Sequence, residues 1–268
     1  AMLDPTLSYS CAYWHDAASL RDAQQKKLDM ICRKLELRPG ERLLEIGCGW
    51  GGLAFFAANY YGVEVVGITV SKEQQAVAQS RCAGLPVSIE LMDYRNLDGR
   101  FDKIVSVGMF EHVGIPNYRT FFRRVRELLT EDGVALLHTI GRADGPGATD
   151  PFTAKYIFPG GYSPALSEIV PAIEREMLWI TDVEVLRLHY AKTLEEWLRR
   201  TEAAKAEIVR LYDERFYRMW TFYLAAARGA FRHDGHVNFQ IQLARRRDAL
   251  PITRDYMAEA EARYAGMI

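Results

Sequence analysis

The chain has 268 residues, 49% of them hydrophobic, which suffices for one large domain with a substantial core. Its 34 basic and 35 acidic side chains leave a net charge of −1, which argues against a nucleic-acid surface and against bulk attraction to anionic lipid, though a local basic patch remains compatible. Four cysteines without a CxxC pair or zinc-like spacing to the six histidines point to reduced thiols, no metal site and a cytoplasmic protein; no secretory signal or bilayer-spanning apolar segment is read.

The first eighteen residues are aromatic and irregular, with Tyr9-Ser10-Cys11-Ala12-Tyr13-Trp14 at their centre, and read as a hydrophobic lid. A helix follows from Ser19 to Leu37, because Leu28, Ile31, Cys32 and Leu35 fall on one face; Pro39-Gly40 ends it. The run from Arg42 to Ile46 reads as a buried strand, Gly47, Gly49 and Gly51 follow at alternate positions, and Leu53 to Tyr61 reads as a helix. That is the strand, tight turn and helix of a nucleotide-binding α/β domain, in which the backbone closes on a ligand and the helix start offers it unpaired N–H groups. Gly47, Gly49 and Gly52 also satisfy the dinucleotide fingerprint, which is weak alone. A dinucleotide site needs an acid on the ribose at the end of the next strand, yet Val63 to Thr69 ends in Gly67, Ile68 and Thr69. Glu45, two residues before Gly47, instead suits a sulfonium donor with a free amino group and no pyrophosphate, S-adenosylmethionine.

Ser71 to Gln74 matches a capping box opening a helix to Cys82, and Thr69 and Gln74 also read as polar groups facing the cofactor ribose. The third strand, Val87 to Met92, ends in Asp93-Tyr94, a carboxylate and a ring suited to adenine. The fourth, Lys103 to Gly108, leads into Met109-Phe110-Glu111-His112. A helix from Asn117 to Leu129 is stopped by Glu131-Asp132-Gly133, and the fifth strand, Val134 to Ile140, carries His138 near its end. Alternation of this kind implies a parallel, doubly wound sheet whose ligands bind beyond the carboxyl ends of the strands, where Glu45, Thr69, Asp93, Glu111 and His138 converge. Residues 141–150 read as a mobile loop, Phe158 to Tyr162 as an aromatic turn, Met177 to Leu188 as a sixth strand, and Leu194 to Gly229 as a broken helix covering the substrate. In the last strand, His236 to Arg245, apolar Val237, Phe239, Ile241 and Leu243 alternate with polar neighbours. Arg228, Arg232 and Arg245 to Arg247 read as solvated surface charge in preference to a basic patch that meets lipid phosphates. The expected organisation is one catalytic domain over 1–268: lid and first helix 1–38, cofactor-binding core 39–141, substrate-covering loops and helices 142–235, last strand 236–247.

Seven stretches, YSCAYW at 9–14, LLEIGCGWGGLA at 43–54, VVGITVSKEQQ at 65–75, VSVGMFEHVG at 105–114, LLHTIG at 136–141, KYIFPGG at 155–161 and YDERFYRMWTFYL at 212–224, carry a resemblance over nearly the whole chain. It resembles the catalytic domain of bacterial cyclopropane-fatty-acyl-phospholipid synthases, relatives of the mycolic acid cyclopropane synthases. The resemblance implies a class I S-adenosylmethionine-dependent methyltransferase fold, Rossmann-like, with a seven-stranded, mostly parallel sheet and a helical insertion before the last strand. It implies methylene transfer to the cis double bond of a phospholipid acyl chain, with peripheral membrane contact at the inner face of a bacterial membrane, no nucleic acid, and a homodimer left open. Tyr9, Ser10, Glu45, Gly47, Gly49, Gly51, Thr69, Gln74, Asp93 and Tyr94 would hold the cofactor. Cys11, Glu111, His138, the Ile140 backbone and Tyr190 would hold a bicarbonate ion that takes the proton, with Cys11 shaping the site and His112 structural. Trp14, Phe158 and Tyr190 offer aromatic faces to the developing positive charge. Family members generally carry an N-terminal lipid-binding domain, expected to be absent here, and many have a cysteine where this chain has Ala227, which argues against a covalent thiol mechanism. The rivals are a methyltransferase that stops before ring closure, on an olefin or an amine, and a non-catalytic lipid-binding relative.

Overall fold

The computed structural model describes residues 1–264, so the last four residues of the expected 1–268 domain lie outside the described residues. Helix α1 (Leu20–Lys34) starts where the Ser19 hydroxyl accepts the Asp22 N–H at 3.2 Å, and it precedes strand β1 (Arg42–Ile46). Then come α2 (Gly52–Tyr61), β2 (Glu64–Thr69), α3 (Lys72–Arg81), β3 (Val87–Leu91), β4 (Phe101–Val107), α4 (Tyr118–Leu128) and β5 (Leu129–Arg142). The remainder is α5 (Pro151–Tyr156), α6 (Leu166–Arg175), β6 (Trp179–Val185), α7 (His189–Ala203), α8 (Lys205–Leu211), α9 (Glu214–His233), β7 (His236–Ala244) and α10 (Asp255–Tyr264).

The seven strands form one sheet in the order β3-β2-β1-β4-β5-β7-β6, parallel except for β7, which pairs antiparallel with both β5 and β6. This is the expected doubly wound, mostly parallel arrangement. Leu28, Leu53, Ala57 and Ala78 bury the α1, α2 and α3 faces on one side of the sheet, and Phe121, Val125, Ile169 and Ile173 bury α4 and α6 on the other. A third apolar cluster, including Cys11, Tyr190, Trp197 and Phe231, joins the N-terminal segment to α7 and α9.

Three features depart from the sequence reading, and a fourth, the burial of the polar side chains of β7, is one that period-two alternation leaves open. Strand β5 begins before Glu131-Asp132-Gly133: Phe101 pairs with Leu129 and Lys103 with Val134, so that turn signal marks a bulge inside the strand. The expected broken helix from Leu194 is three helices, α7 to α9, beginning at His189. Within 142–235, α6 packs beneath the sheet and β6 forms its edge, so only part of that stretch covers the carboxyl ends of the strands. The polar side chains of β7 are buried, with Asn238 at 1%, Gln240 at 0% and Gln242 at 2% exposure, because the strand sits between β5 and β6 under α1 and α10. The Gln242 amide donates to the Tyr256 hydroxyl at 2.7 Å, and Gln240 meets His138.

Candidate active site

A cavity of about 750 Å³ opens at the carboxyl ends of β1, β2, β4 and β5, and residues 6–11 of the N-terminal segment line one side of it. Its floor is the glycine turn. Gly47 and Gly51 have φ of +82° and +78°; a Cβ on Gly47 would stand 2.9 Å from the Cβ of Met109, and Gly51, which does not itself line the cavity, lets the turn close on Ala78 of α3, where a Cβ would stand 2.9 Å from that of Ala78. Gly49 has nothing within 4 Å of its Cβ position, so at that point the backbone itself faces the open cavity. Gly47→Ala is expected to lower stability by about 1–2 kcal/mol from its left-handed backbone alone, read by denaturant unfolding.

Glu45, in the middle of the sheet, is 4% exposed. Burial pushes its carboxyl up to about 8, against the opposing pull of Lys27 and the Ala54 N–H, and its Oε2 has no partner. Lys27 was missed by the sequence reading. It projects from α1, is 2% exposed, lines the cavity, and donates to the Ser10 hydroxyl at 3.1 Å. Burial pulls its ammonium down to about 8, while Asp4, Cys11 and Glu45 pull it back. The available signal was its spacing, four residues before Ile31 on the buried face of α1.

Thr69, Gln74, Asp93 and Tyr94 all line the cavity. The Thr69 hydroxyl donates to Gln74 Oε1 at 2.9 Å. The expected capping box is therefore half formed: Ser71 accepts the Gln74 N–H at 3.2 Å, but the Gln74 side chain turns to Thr69 and does not reach back to Ser71. Asp93 is clasped by the Arg95 guanidinium at 2.9 and 2.6 Å, which holds its carboxyl below the usual range.

On the far side, Glu111 is 8% exposed and burial pushes its carboxyl up to about 7. Its Oε1 accepts the Ile140 N–H at 2.7 Å, while Oε2 has no partner. His138 is fully buried and held neutral by burial, with its two ring nitrogens 3.1 Å from the Asn238 amide nitrogen and 3.0 Å from that of Gln240. A neutral imidazole has one N–H and one lone pair, so one of those amides must present its oxygen; Asn238 Oδ1 and Gln240 Oε1 are both otherwise without partners. In this arrangement the Ile140 N–H is taken by Glu111 and the His138 nitrogens face the Asn238 and Gln240 amides, while both residues line the cavity together with Glu111. Cys11 and Tyr190, both lining the cavity, are kept protonated by burial; Tyr190 lies close enough to Glu111 to feel its charge, and the Cys11 thiol donates to the Ala12 carbonyl. No base lies against the Cys11 sulfur, whose near contact is the Ala12 carbonyl at 3.4 Å.

Tyr9 stacks on Trp197 at 5.1 Å, and Phe158 packs edge-on to Tyr223 at 5.9 Å; Tyr9, Phe158, Tyr190 and Tyr223 wall the cavity. Trp14 does not line it. Its indole donates to Thr193 at 3.0 Å and its backbone N–H to His189 at 2.8 Å, pinning the N-terminal segment to α7. His112 lines the cavity through an edge contact with Phe158 at 5.8 Å, and Ala227 packs in the α7–α9 cluster away from it.

The family described as mycolic acid cyclopropane synthetase matches residues 1–241. The chain belongs to this family. It is 53% identical over 231 residues to the cyclopropane-fatty-acyl-phospholipid synthase of Escherichia coli strain K12, covering 86% of this chain but 60% of that protein's length. Among solved structures, the cyclopropane synthase MmaA2 from Mycobacterium tuberculosis superposes with a TM-score of 0.85 at 34% identity, over 91% of this chain and 92% of that one. The mycolic acid cyclopropane synthase CmaA1 complexed with SAH and CTAB also gives 0.85, at 35% identity, over 90% and 91%. Within this family the fold is that of the class I methyltransferases, and the strand order found here conforms to it.

Proposed function

We propose that the chain is a cyclopropane-fatty-acyl-phospholipid synthase, which transfers a methylene group from S-adenosylmethionine to the cis double bond of an unsaturated phospholipid acyl chain. It would work as a peripheral protein from the cytoplasmic face of the membrane; no helix among the described residues is long and apolar enough to cross one. The observation that carries the reading is one cavity with two buried carboxyls, Glu45 and Glu111, each with an oxygen lacking a partner, between aromatic walls. The E. coli relative's activity and the SAH complex of CmaA1 support it.

The residues fit the donor. S-adenosylmethionine, when bound, supplies an electrophilic methyl on a sulfonium. Glu45 offers an unpaired carboxylate oxygen for the ammonium of that ligand, the glycine turn offers close backbone approach, and Thr69 and Gln74 are placed for the ribose. An alkene is a poor nucleophile, so the chain's task is to exclude water and hold the acyl chain in line. Tyr9, Phe158, Tyr190 and Tyr223 present π faces that stabilise positive charge on an acyl carbon without bonding to it. The base would be a bicarbonate ion beside Glu111, with Cys11 and Tyr190 donating to it and Glu111 sharing its proton.

A donor labelled with a fully deuterated methyl group tests the reaction. Ring closure requires loss of one methyl hydrogen, so the lipid product is expected to keep two of the three deuteriums. A product that keeps all three establishes methylation without ring closure, and calorimetry showing no donor binding leaves only a non-catalytic lipid binder.

A further inference from the structure

We infer that the solvent faces of α5 and α9 form the surface by which this chain docks on an anionic phospholipid bilayer, an inference that rests on the substrate being a bilayer phospholipid. With a net charge of −1 the whole molecule is not drawn to such a membrane, so any attraction must be local. Along α9, Arg215, Arg218 and Phe222 are spaced i, i+3 and i+7, which places them on one helix face, and all three are exposed, Phe222 by 57%. From α5, Phe152 packs edge-on against Phe222 at 4.9 Å, the exposed Tyr156 lies 5.4 Å from Phe152, and the Lys155 ammonium sits 4.9 Å over the Tyr156 ring. Aromatic rings beside lysine and arginine suit the interface between headgroups and acyl chains.

The cations of this patch are available. At the start of α9, Asp213 is occupied in accepting the Phe216 N–H at 2.6 Å and Glu214 pairs with Lys205 at 3.0 Å, so among the described residues Arg215 and Arg218 form no ion pair. Some other basic surface residues are engaged with acids: Arg228 pairs with Glu195 at 3.6 Å and Arg246 with Asp132 at 2.9 Å. The patch also adjoins the cavity. Thr153 and Tyr223, the chain neighbours of Phe152 and Phe222, line it, so α5 and α9 carry the cavity wall on one side and the patch on the other. A second copy of the chain fits this face poorly, since a two-fold contact would set the arginines of one copy near those of the other.

The test is co-sedimentation of the full chain with phosphatidylglycerol–phosphatidylethanolamine vesicles and with phosphatidylcholine vesicles, comparing wild type with Phe222→Ser and with Arg215→Gln/Arg218→Gln. Wild type is expected to prefer the anionic vesicles, in a salt-sensitive way, and each variant to bind them roughly ten-fold or more weakly. Circular dichroism and donor-binding calorimetry should match wild type, and turnover should fall on vesicles but persist on detergent-dispersed lipid. Variants that bind anionic vesicles as wild type does overturn the inference, as does a wild type that binds neither vesicle. So does a dimer, seen by sedimentation velocity, that the variants abolish without changing vesicle binding. Loss of vesicle binding in the variants, with no turnover on any lipid by wild type, upholds the surface and overturns the proposed activity.

Discussion

Glu111→Gln is expected to lower turnover about 10²–10⁴-fold, the usual contribution of a positioned acid or base, while S-adenosylmethionine binds with wild-type affinity. The substitution keeps an oxygen to accept the Ile140 N–H but removes the group whose carboxyl burial has pushed up to about 7, where a proton is readily shared with a neighbouring anion. The wild-type pH–rate limb near neutrality should vanish in the residual activity of the variant. Wild-type turnover should fall in bicarbonate-depleted buffer and return when bicarbonate is added; full activity without it sinks the proposed base. Stability should move the other way. A carboxyl raised in the folded chain binds its proton more tightly there than when unfolded, so the native state is favoured below the ordinary carboxyl range and loses that advantage as pH climbs from about 4.5 to about 7. Glu111→Gln removes this loss and should stabilise the chain above pH 7 by up to the order of 3 kcal/mol, measured by urea unfolding at pH 5 and pH 8. A variant that is inactive but no more stable at pH 8 would mean that Glu111 is ionised in the fold at little cost.

Where local patterning determines structure, the sequence was readable. Strand β1 is bounded by Arg42 and Ile46 as its apolar run suggests, and the glycines that follow take the left-handed angles their residue type permits. The crevice was legible because β1, β2, β4 and β5 point the same way, which brings Glu45, Thr69, Glu111 and His138 to one cavity from stretches far apart in the chain. What escaped depends on long-range packing. Period-two alternation in β7 looks the same whether its polar face meets water or protein, and only the pairing of β7 with both β5 and β6 shows that Asn238 and Gln240 clamp His138. A lysine such as Lys27 reads as a solvated charge until the N-terminal segment closes over it and places Ser10 and Asp4 beside it. Trp14 lies in a stretch that carries the family resemblance and so reads as an aromatic face for the site, yet Thr193 on α7 draws its indole elsewhere. Helices α5, α6 and α10 were not anticipated; α5, in particular, is a single short segment after a polar loop.

Glu45→Gln is expected to weaken S-adenosylmethionine binding roughly 10–100-fold, the loss of one charge-assisted hydrogen bond in a buried site. Burial drives both Glu45 and Lys27 toward neutrality near pH 8, against a smaller pull of each toward the charged form of the other. A ligand ammonium set against Glu45 favours its ionised form, so donor binding should release a proton and tighten as pH rises from 7 towards 8. Lys27→Met separates the electrostatic role from direct contact. Without the cation Glu45 should move further up and be still more fully protonated at pH 7, weakening donor binding about ten-fold for each unit of that shift, with recovery at higher pH. Glu45→Gln should abolish both the pH dependence and the released proton. Calorimetry in two buffers of different ionisation enthalpy measures each quantity. Wild-type affinity in Glu45→Gln would remove this carboxyl from the cofactor site. If Lys27→Met instead weakened binding equally at every pH, the lysine would act by holding Ser10 and the N-terminal segment in place, and not through the charge of Glu45.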